Sequence, residues 1–430
     1  ATDSYNVAVG NQAGASVTTG AFNTLIGGLA GDALTDGFDN VAVGKGALTT
    51  EDRGAKTTAI GFEALATQNA GTGATYNTAV GASAGAALTT GLENTIIGGL
   101  AGDALTDADF NVALGVASLS SDTLGSRSVA LGYATLGSQN FTTATNSYNT
   151  AVGHAAGNNV TTGTLNTLIG GLAGDALTVG NSNTALGQGA LSSDTKGDTS
   201  VAIGILALQD QNFTTSTDVY NTAVGAFAGE NITTGIQTTL IGGKAGIALL
   251  AAADNVAVGY SALSTETGGQ NNVAIGVNAL LAQVNSSGNI YNTAVGSQAG
   301  KAVTTGIKNT LVGGLAGDAL TDADMNVVVG AEALAIDTLG SGSVAIGRAA
   351  LETQNFTSAT TTGNTAVGNQ AGLSNTAGIE ATFIGHYSGR FASTASGSTF
   401  VGANAGRGIT GTKLTGDNNT AIGESAGLLL

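Results

Sequence analysis

The sequence predicts an all-β fold, a parallel β-solenoid (β-roll) of about 24 coils, from three observations. A short motif recurs at a fixed interval, small residues keep a strict register within it, and the composition suits a narrow core. The motif is Asn/Ser/Thr-x-x-Val/Ile/Leu-Gly, and its glycine recurs 24 times, from Gly10, Gly27, Gly44, Gly61 and Gly81 through to Gly423. Self-similarity at such a period is the signature of stacked repeat architectures. Successive glycines lie 17, 17, 17 and then 20 or 21 residues apart, so a 17-residue coil builds four-coil units of 71–72 residues. The whole chain, 1–430, reads as one continuous solenoid with units at about 5–75, 76–147, 148–219, 220–290, 291–362 and a divergent last unit, 363–430.

Each position in the coil has a physical reading. The residue before the glycine is Val, Ile or Leu in all 24 coils, and the residue three after it is Ala in 21. Four residues before the glycine stand 17 Asn and six Ser or Thr. A helical period does not produce this pattern; a period of one coil does. A segment such as Asn77-Thr78-Ala79-Val80 reads as a short strand with alternating faces, and Gly81 supplies a turn that a side chain would obstruct. A second strand is expected near Ala87–Thr90 before Gly91 turns the chain again. Val9, Ile26, Val43, Ile60, Val80 and Ile97 are expected to form an inward apolar ladder. Burial of each such side chain contributes about 1.5–3 kcal/mol. Asn77, Asn94 and Asn111 are expected to stack as an amide ladder along the axis. At ~4.8 Å per coil, 24 coils would span about 115 Å.

Two further regularities concern the surface. Four residues after the glycine stands Gly in the first two coils of a unit (Gly14, Gly31) and Leu in the next two (Leu48, Leu65). These leucines read either as core filler or as a seam buried against neighbouring chains. The shortage of charge to cover the surface favours the seam. The longer intervals hold insertions such as Gln139-Asn140-Phe141, Gln211-Asn212-Phe213 and Gln354-Asn355-Phe356. They are expected to project as loops on one face, at intervals of about 19 Å, and to be candidates for surface recognition.

Composition narrows the function. Charged residues are 10% of the chain, against about 25% in an ordinary soluble domain. There are 69 Gly and no Pro, Cys or Trp. The net charge is −17 and the basic residues are scattered singly, so no basic stripe for nucleic acid forms. An acidic, Thr- and Asn-rich surface points to a hydrated, extracellular object. Without Cys there is no disulfide framework or thiolate metal site, and no apolar run approaches the ~20 residues that span a bilayer. The chain opens on ATDSYNVAVG and starts and stops inside the repeat, so it is expected to be a processed or ordered part of something longer.

Candidate chemistry is thin. Gly81-Ala82-Ser83-Ala84-Gly85 and Gly423-Glu424-Ser425-Ala426-Gly427 match the esterase elbow. The coil period already explains their glycines, and a nucleophile needs a base, for which only His154 and His386 exist. Gly242-Gly243-Lys244 lacks the spacing of a phosphate loop. Asp103, Asp107 and Asp109 are weak Ca²⁺ candidates, since the ion wants six or more oxygens. The Thr-Thr-Gly pairs recur too sparsely for an ice-binding face. No catalytic residue and no cofactor is expected, and the chain reads as a structural protein rather than an enzyme.

The coil NTAVG-x-x-AG…TTG-x-x-NTLIGG resembles the head repeats of trimeric autotransporter adhesins, left-handed β-rolls with three chains side by side. It resembles still more the repetitive shafts of bacteriophage tail fibres that end in an endosialidase-type chaperone domain. The resemblance covers Asn6 to Gly427. It implies a side-by-side homotrimer located on a virion fibre or a bacterial cell surface. The implied function is a fibre shaft presenting a surface to a cell-surface glycan or protein receptor, with an adhesin head or a self-assembling extracellular filament as alternatives.

Overall fold

The computed structural model describes residues 4–409 and 414–428. The chain is an all-β parallel solenoid of about 24 turns, and no helix occurs among the described residues. It divides into two compact units, Ala1–Tyr220 and Asn221–Leu430. That boundary falls where the third four-coil unit of the sequence meets the fourth.

In the first unit twelve three-residue strands, beginning Val7–Val9, Thr24–Ile26, Val41–Val43 and Thr58–Ile60 and ending at Val201–Ile203, each precede a turn glycine. Each pairs in parallel with the next, without offset: Val80 lies beside Ile97, and Ile97 beside Leu114. The second unit repeats the arrangement with twelve strands from Thr222–Val224 to Thr420–Ile422. The glycine register has a backbone cause. At Gly115 φ is +135°, and a Cβ there would lie 2.3 Å from the carbonyl oxygen of Gly132 in the next turn. Stacked turns approach so closely at this corner that only hydrogen fits.

The predicted inward ladder is corrected by the burial. Val9, Ile26, Val43, Ile60, Val80 and Ile97 do stack in register. They point outward, however: Ile26 is 39% and Ile60 37% exposed. The inward residue is the middle one of each strand, as in Leu25, Ala42, Ala59, Ala79 and Ile96. Strand alternation allows one parity only, and asparagine sets it. Asn77, Asn94 and Asn111, four before the glycine, are buried, so the residue two before the glycine is inside and the one just before it is outside.

The asparagine ladder forms as expected, through the backbone. The Asn94 N–H donates to Asn77 Oδ1 at 2.8 Å and the Asn111 N–H to Asn94 Oδ1 at 2.9 Å. Nδ2 of Asn94 donates to the Ala108 carbonyl at 2.7 Å. Every amide thus bridges turns and fills donors and acceptors that burial would otherwise strand. The second strand expected at 87–90 is absent. That stretch bends, yet still stacks, with the Thr89 N–H donating to the Thr106 carbonyl at 2.9 Å. Short second strands occur instead where the insertions enter, as in Gly125–Ser126 with Thr145–Asn146.

The Leu/Gly alternation is core packing, which overturns the predicted seam. Leu48, Leu65, Leu119 and Leu136 are fully buried within the chain. Where the inward strand residue is large, the alternating position is Gly: a Cβ at Gly31 would come within 2.8 Å of Leu25 Cδ2, and one at Gly14 within 2.7 Å of Leu25 Cδ1. Where the strand residue is Ala42 or Ala59, Leu48 or Leu65 fills the space. These leucines take left-handed backbone, with φ of 53° at Leu48 and 48° at Leu65. That conformation costs about 1–2 kcal/mol and is offset by the about 1.5–3 kcal/mol of burying the side chain. The alanines three after the glycine, such as Ala30, Ala47 and Ala64, are buried beside them.

Two substitutions test this packing by thermal or denaturant unfolding. Gly115→Ala is expected to destabilise far beyond the about 1 kcal/mol of an average substitution, because the obstruction is backbone. Leu119→Ala is expected to lose about 2–5 kcal/mol, the range for emptying a core position. An unchanged midpoint for Leu119→Ala would return that residue to the surface.

Candidate functional site

The insertions that read as projecting recognition loops are tethered from inside. Gln139, Gln211 and Gln354 are fully buried, and Phe141 and Phe213 are nearly so; Phe356 is half-buried. Beneath the loop of residues 139–143 lies Asp122, also fully buried. Its Oδ1 accepts from the N–H groups of Gly125 at 3.1 Å and Phe141 at 3.0 Å, and Oδ2 accepts from Gln139 Nε2 at 2.6 Å. Gln139 Nε2 also donates to Ser128 Oγ at 2.8 Å, while its Oε1 accepts from Asn149 Nδ2 at 2.9 Å.

The same device recurs at Asp194 with Gln211 and at Asp337 with Gln354. Glu51 with Gln68 and Glu266 with Gln283 are its glutamate versions. Each carboxylate is satisfied by N–H donors rather than by a cation, as buried acids require. The correction to the loop residues follows: Gln and Phe are drawn inward by the carboxylate, and the surface is left to Asn140, Asn212 and Asn355 and to residues 142–144, 214–216 and 357–359. The pairing was legible as an acid seven after one glycine and a Gln seven after the next, a signal that the sequence reading passed over.

The calcium candidates do not converge. Asp107 Oδ1 accepts from Thr90 Oγ1 at 2.6 Å and Asp109 Oδ1 from the Leu92 N–H at 2.8 Å. No group of three metal-binding side chains occurs among the described residues. Ser83 sits in an ordinary turn, while His154 stacks on Tyr133 at 5.4 Å in a coil four turns further on.

What each unit exposes instead is a continuous outward sheet face. Three before each glycine stand 15 Thr and nine Val, and just before it only Val, Ile or Leu. None of these positions is charged, so the −17 net charge resides elsewhere on the chain. Ile97 is half-buried and Leu114 44% exposed, their flanks shielded only by the stacked neighbours. With strands about 10 Å wide and twelve turns of ~4.8 Å, the face covers on the order of 600 Å² in each unit. Its apolar part is the column just before the glycine, unbroken from turn to turn within each unit.

A second column runs five residues before each glycine, in left-handed backbone, and carries exposed aromatics. Tyr5, Tyr76, Tyr148 and Tyr220 mark successive four-coil units. Tyr5 stacks on Phe22 at 5.6 Å, and the Arg127 guanidinium lies 4.5 Å from the Phe110 ring and 6.0 Å from that of Tyr148.

Asp103, Asp175 and Asp318 occupy equivalent places five after a glycine. Each has an Oδ1 shut off from solvent without a hydrogen-bond partner. Burial lifts their carboxyls above the ordinary value of 3.8, opposed in part by a backbone hydrogen bond and, at Asp318, by Lys301. A raised carboxyl pKa means that the folded state holds the proton more tightly than the unfolded state. The stability contributed is complete below about pH 3.8 and is lost as pH rises through the folded values.

Two measurements follow. The triple variant D103N/D175N/D318N should melt higher than the parent at pH 7, with the gain shrinking to nothing as the pH falls towards 3.8; a pH-independent gain would contradict the assignment. Asp122→Ala leaves three donors without an acceptor, each costing about 1–3 kcal/mol, and should open the loop of residues 139–147 to protease while Asp107→Ala does not.

Compared with protein-family models and with curated proteins, the chain matches none.

Proposed function

We propose that this chain is a non-catalytic fibre shaft whose copies associate side by side, as a homotrimer, through the outward face of the strand ladder. The observation that carries the reading is that face: β-branched and apolar at every turn, free of charge, and open in the single chain. An unbroken column of partly exposed Val, Ile and Leu favours burial against another surface. A second copy offers the same flat, regularly spaced side chains, and like residues meet like around a symmetry axis. Association leaves the acidic positions, the tethered loops and the tyrosine column outside.

A shaft of this kind holds a receptor-binding surface at a distance from a virion or a cell. The likeness of the coil to phage tail-fibre shafts supports the virion setting. The periodic Asn-Thr loops and tyrosines are the surfaces offered to a glycan or protein receptor.

Sedimentation equilibrium at micromolar concentration tests the assembly. The expected species is a trimer, and I97K/L114K, which places charge on the exposed face without touching the core, should shift it to monomer. A monomeric parent chain would overturn the reading.

A further inference from the structure

The last four-coil unit breaks the charge pattern of the rest of the chain. Five residues after the glycine of the second coil, the first, second, third and fifth units carry Asp32, Asp103, Asp175 and Asp318. The last unit carries Arg390 at that place, and Arg407 follows at the equivalent place one turn on. The arginines therefore stand in one column about 4.8 Å apart along the axis, in a chain with only 12 basic residues.

Aromatic rings hold both guanidinium groups. Arg390 lies 4.5 Å from the Tyr387 ring and 5.1 Å from that of Phe391, and Arg407 lies 5.3 Å from Tyr387. His386 packs against Tyr387 with ring centres 3.7 Å apart. Such stacking fixes the guanidinium planes and leaves their edges as hydrogen-bond forks. Among the described residues no carboxylate pairs with either arginine: the ion pairs are those of Arg53 and Arg348. Nε of each is shut off from solvent with no acceptor. Arg407 Nη1 has one long bond, 3.4 Å to Asn404 Oδ1, and among the described residues Arg390 has no side-chain acceptor.

We infer that Arg390 and Arg407, with Tyr387 and Phe391, form a binding site for a short anionic saccharide. Two preorientated guanidinium forks suit a planar carboxylate, which accepts paired hydrogen bonds. The half-buried Phe391 ring, with Arg390 over it, suits the apolar C–H face of the sugar that carries it, while Tyr387, covered by His386 and the two guanidinium groups, holds the forks in place. The cluster is confined to two turns, and the strongly acidic remainder of the chain repels extended polyanions, so the ligand is a short acidic unit rather than a nucleic acid. The site is built from turn residues one to six places after the glycine rather than from the strand positions before it, and does not depend on the association proposed above.

Calorimetric titration of the full chain with sialyllactose, and separately with an oligogalacturonate, tests the site against lactose and inorganic sulfate. Binding is expected for at least one acidic saccharide and not for lactose. R390A and R407A should each weaken it by about tenfold or more. R407K, which keeps the charge but loses the fork, should weaken it by less than R407A. Circular dichroism and melting of each variant report folding, and R390K/R407K replaces any alanine variant that fails to fold, with the same loss expected. Absence of binding to either acidic saccharide, unchanged affinity in the variants, or sulfate binding as tightly as the sugars would overturn the inference.

Discussion

The asparagine four residues before 17 of the 24 turn glycines is the constraint on which the other features depend. Its side chain joins one turn to the next through a main-chain N–H and a carbonyl, so it must lie inside. Once inside, it decides which way every strand residue points. The middle residue goes to the core and its two neighbours go to the surface. The glycine that follows then brings successive turns into backbone contact, which holds the ladder in register without offset. A narrow all-β core with little hydrocarbon per turn is stable because these amides leave few polar groups unmet.

The four-coil period is a second layer built on this frame. Large and small residues trade places between the strand and the position four after the glycine, so that Leu25 faces Gly14 and Gly31 while Ala42 and Ala59 leave room for Leu48 and Leu65. In the fourth coil the ladder residue is Thr57, Ser128, Ser200 or Ser343 in four units, its hydroxyl accepting from Gln68, Gln139, Gln211 or Gln354, while the fourth unit keeps Asn272 in the ladder alongside the buried Gln283. That glutamine belongs to the carboxylate that anchors the insertion. The insertion is thus part of the core's own repeat, and its exposed residues are carried on a rigid base.

Charge is distributed in a way that separates roles along the surface. The strand face has none, the turns opposite carry acids, and the last unit exchanges one acid for an arginine pair stacked on aromatic rings. An uncharged face is suited to burial, an acidic one to hydration, and a local cationic cluster to a small anion. These differences arise from substitutions at fixed coil positions, since the strand and the turn glycine that follows it recur in every coil.

The sequence by itself determined the solenoid, the coil length, the register of the glycines, the asparagine ladder and the four-coil unit. Each is a periodicity, and a period survives without knowledge of which way a side chain points. Only the tertiary structure decided direction. It turned the Val9–Ile97 ladder outward, the Leu48 and Leu65 series inward, and Gln139 and Phe141 from loop tips into anchors. The reason is physical: in a strand, inside and outside differ by one residue, and an apolar residue is compatible with either face. The choice rests on which polar group must be buried to bridge the turns, and that becomes visible only when the turns are stacked.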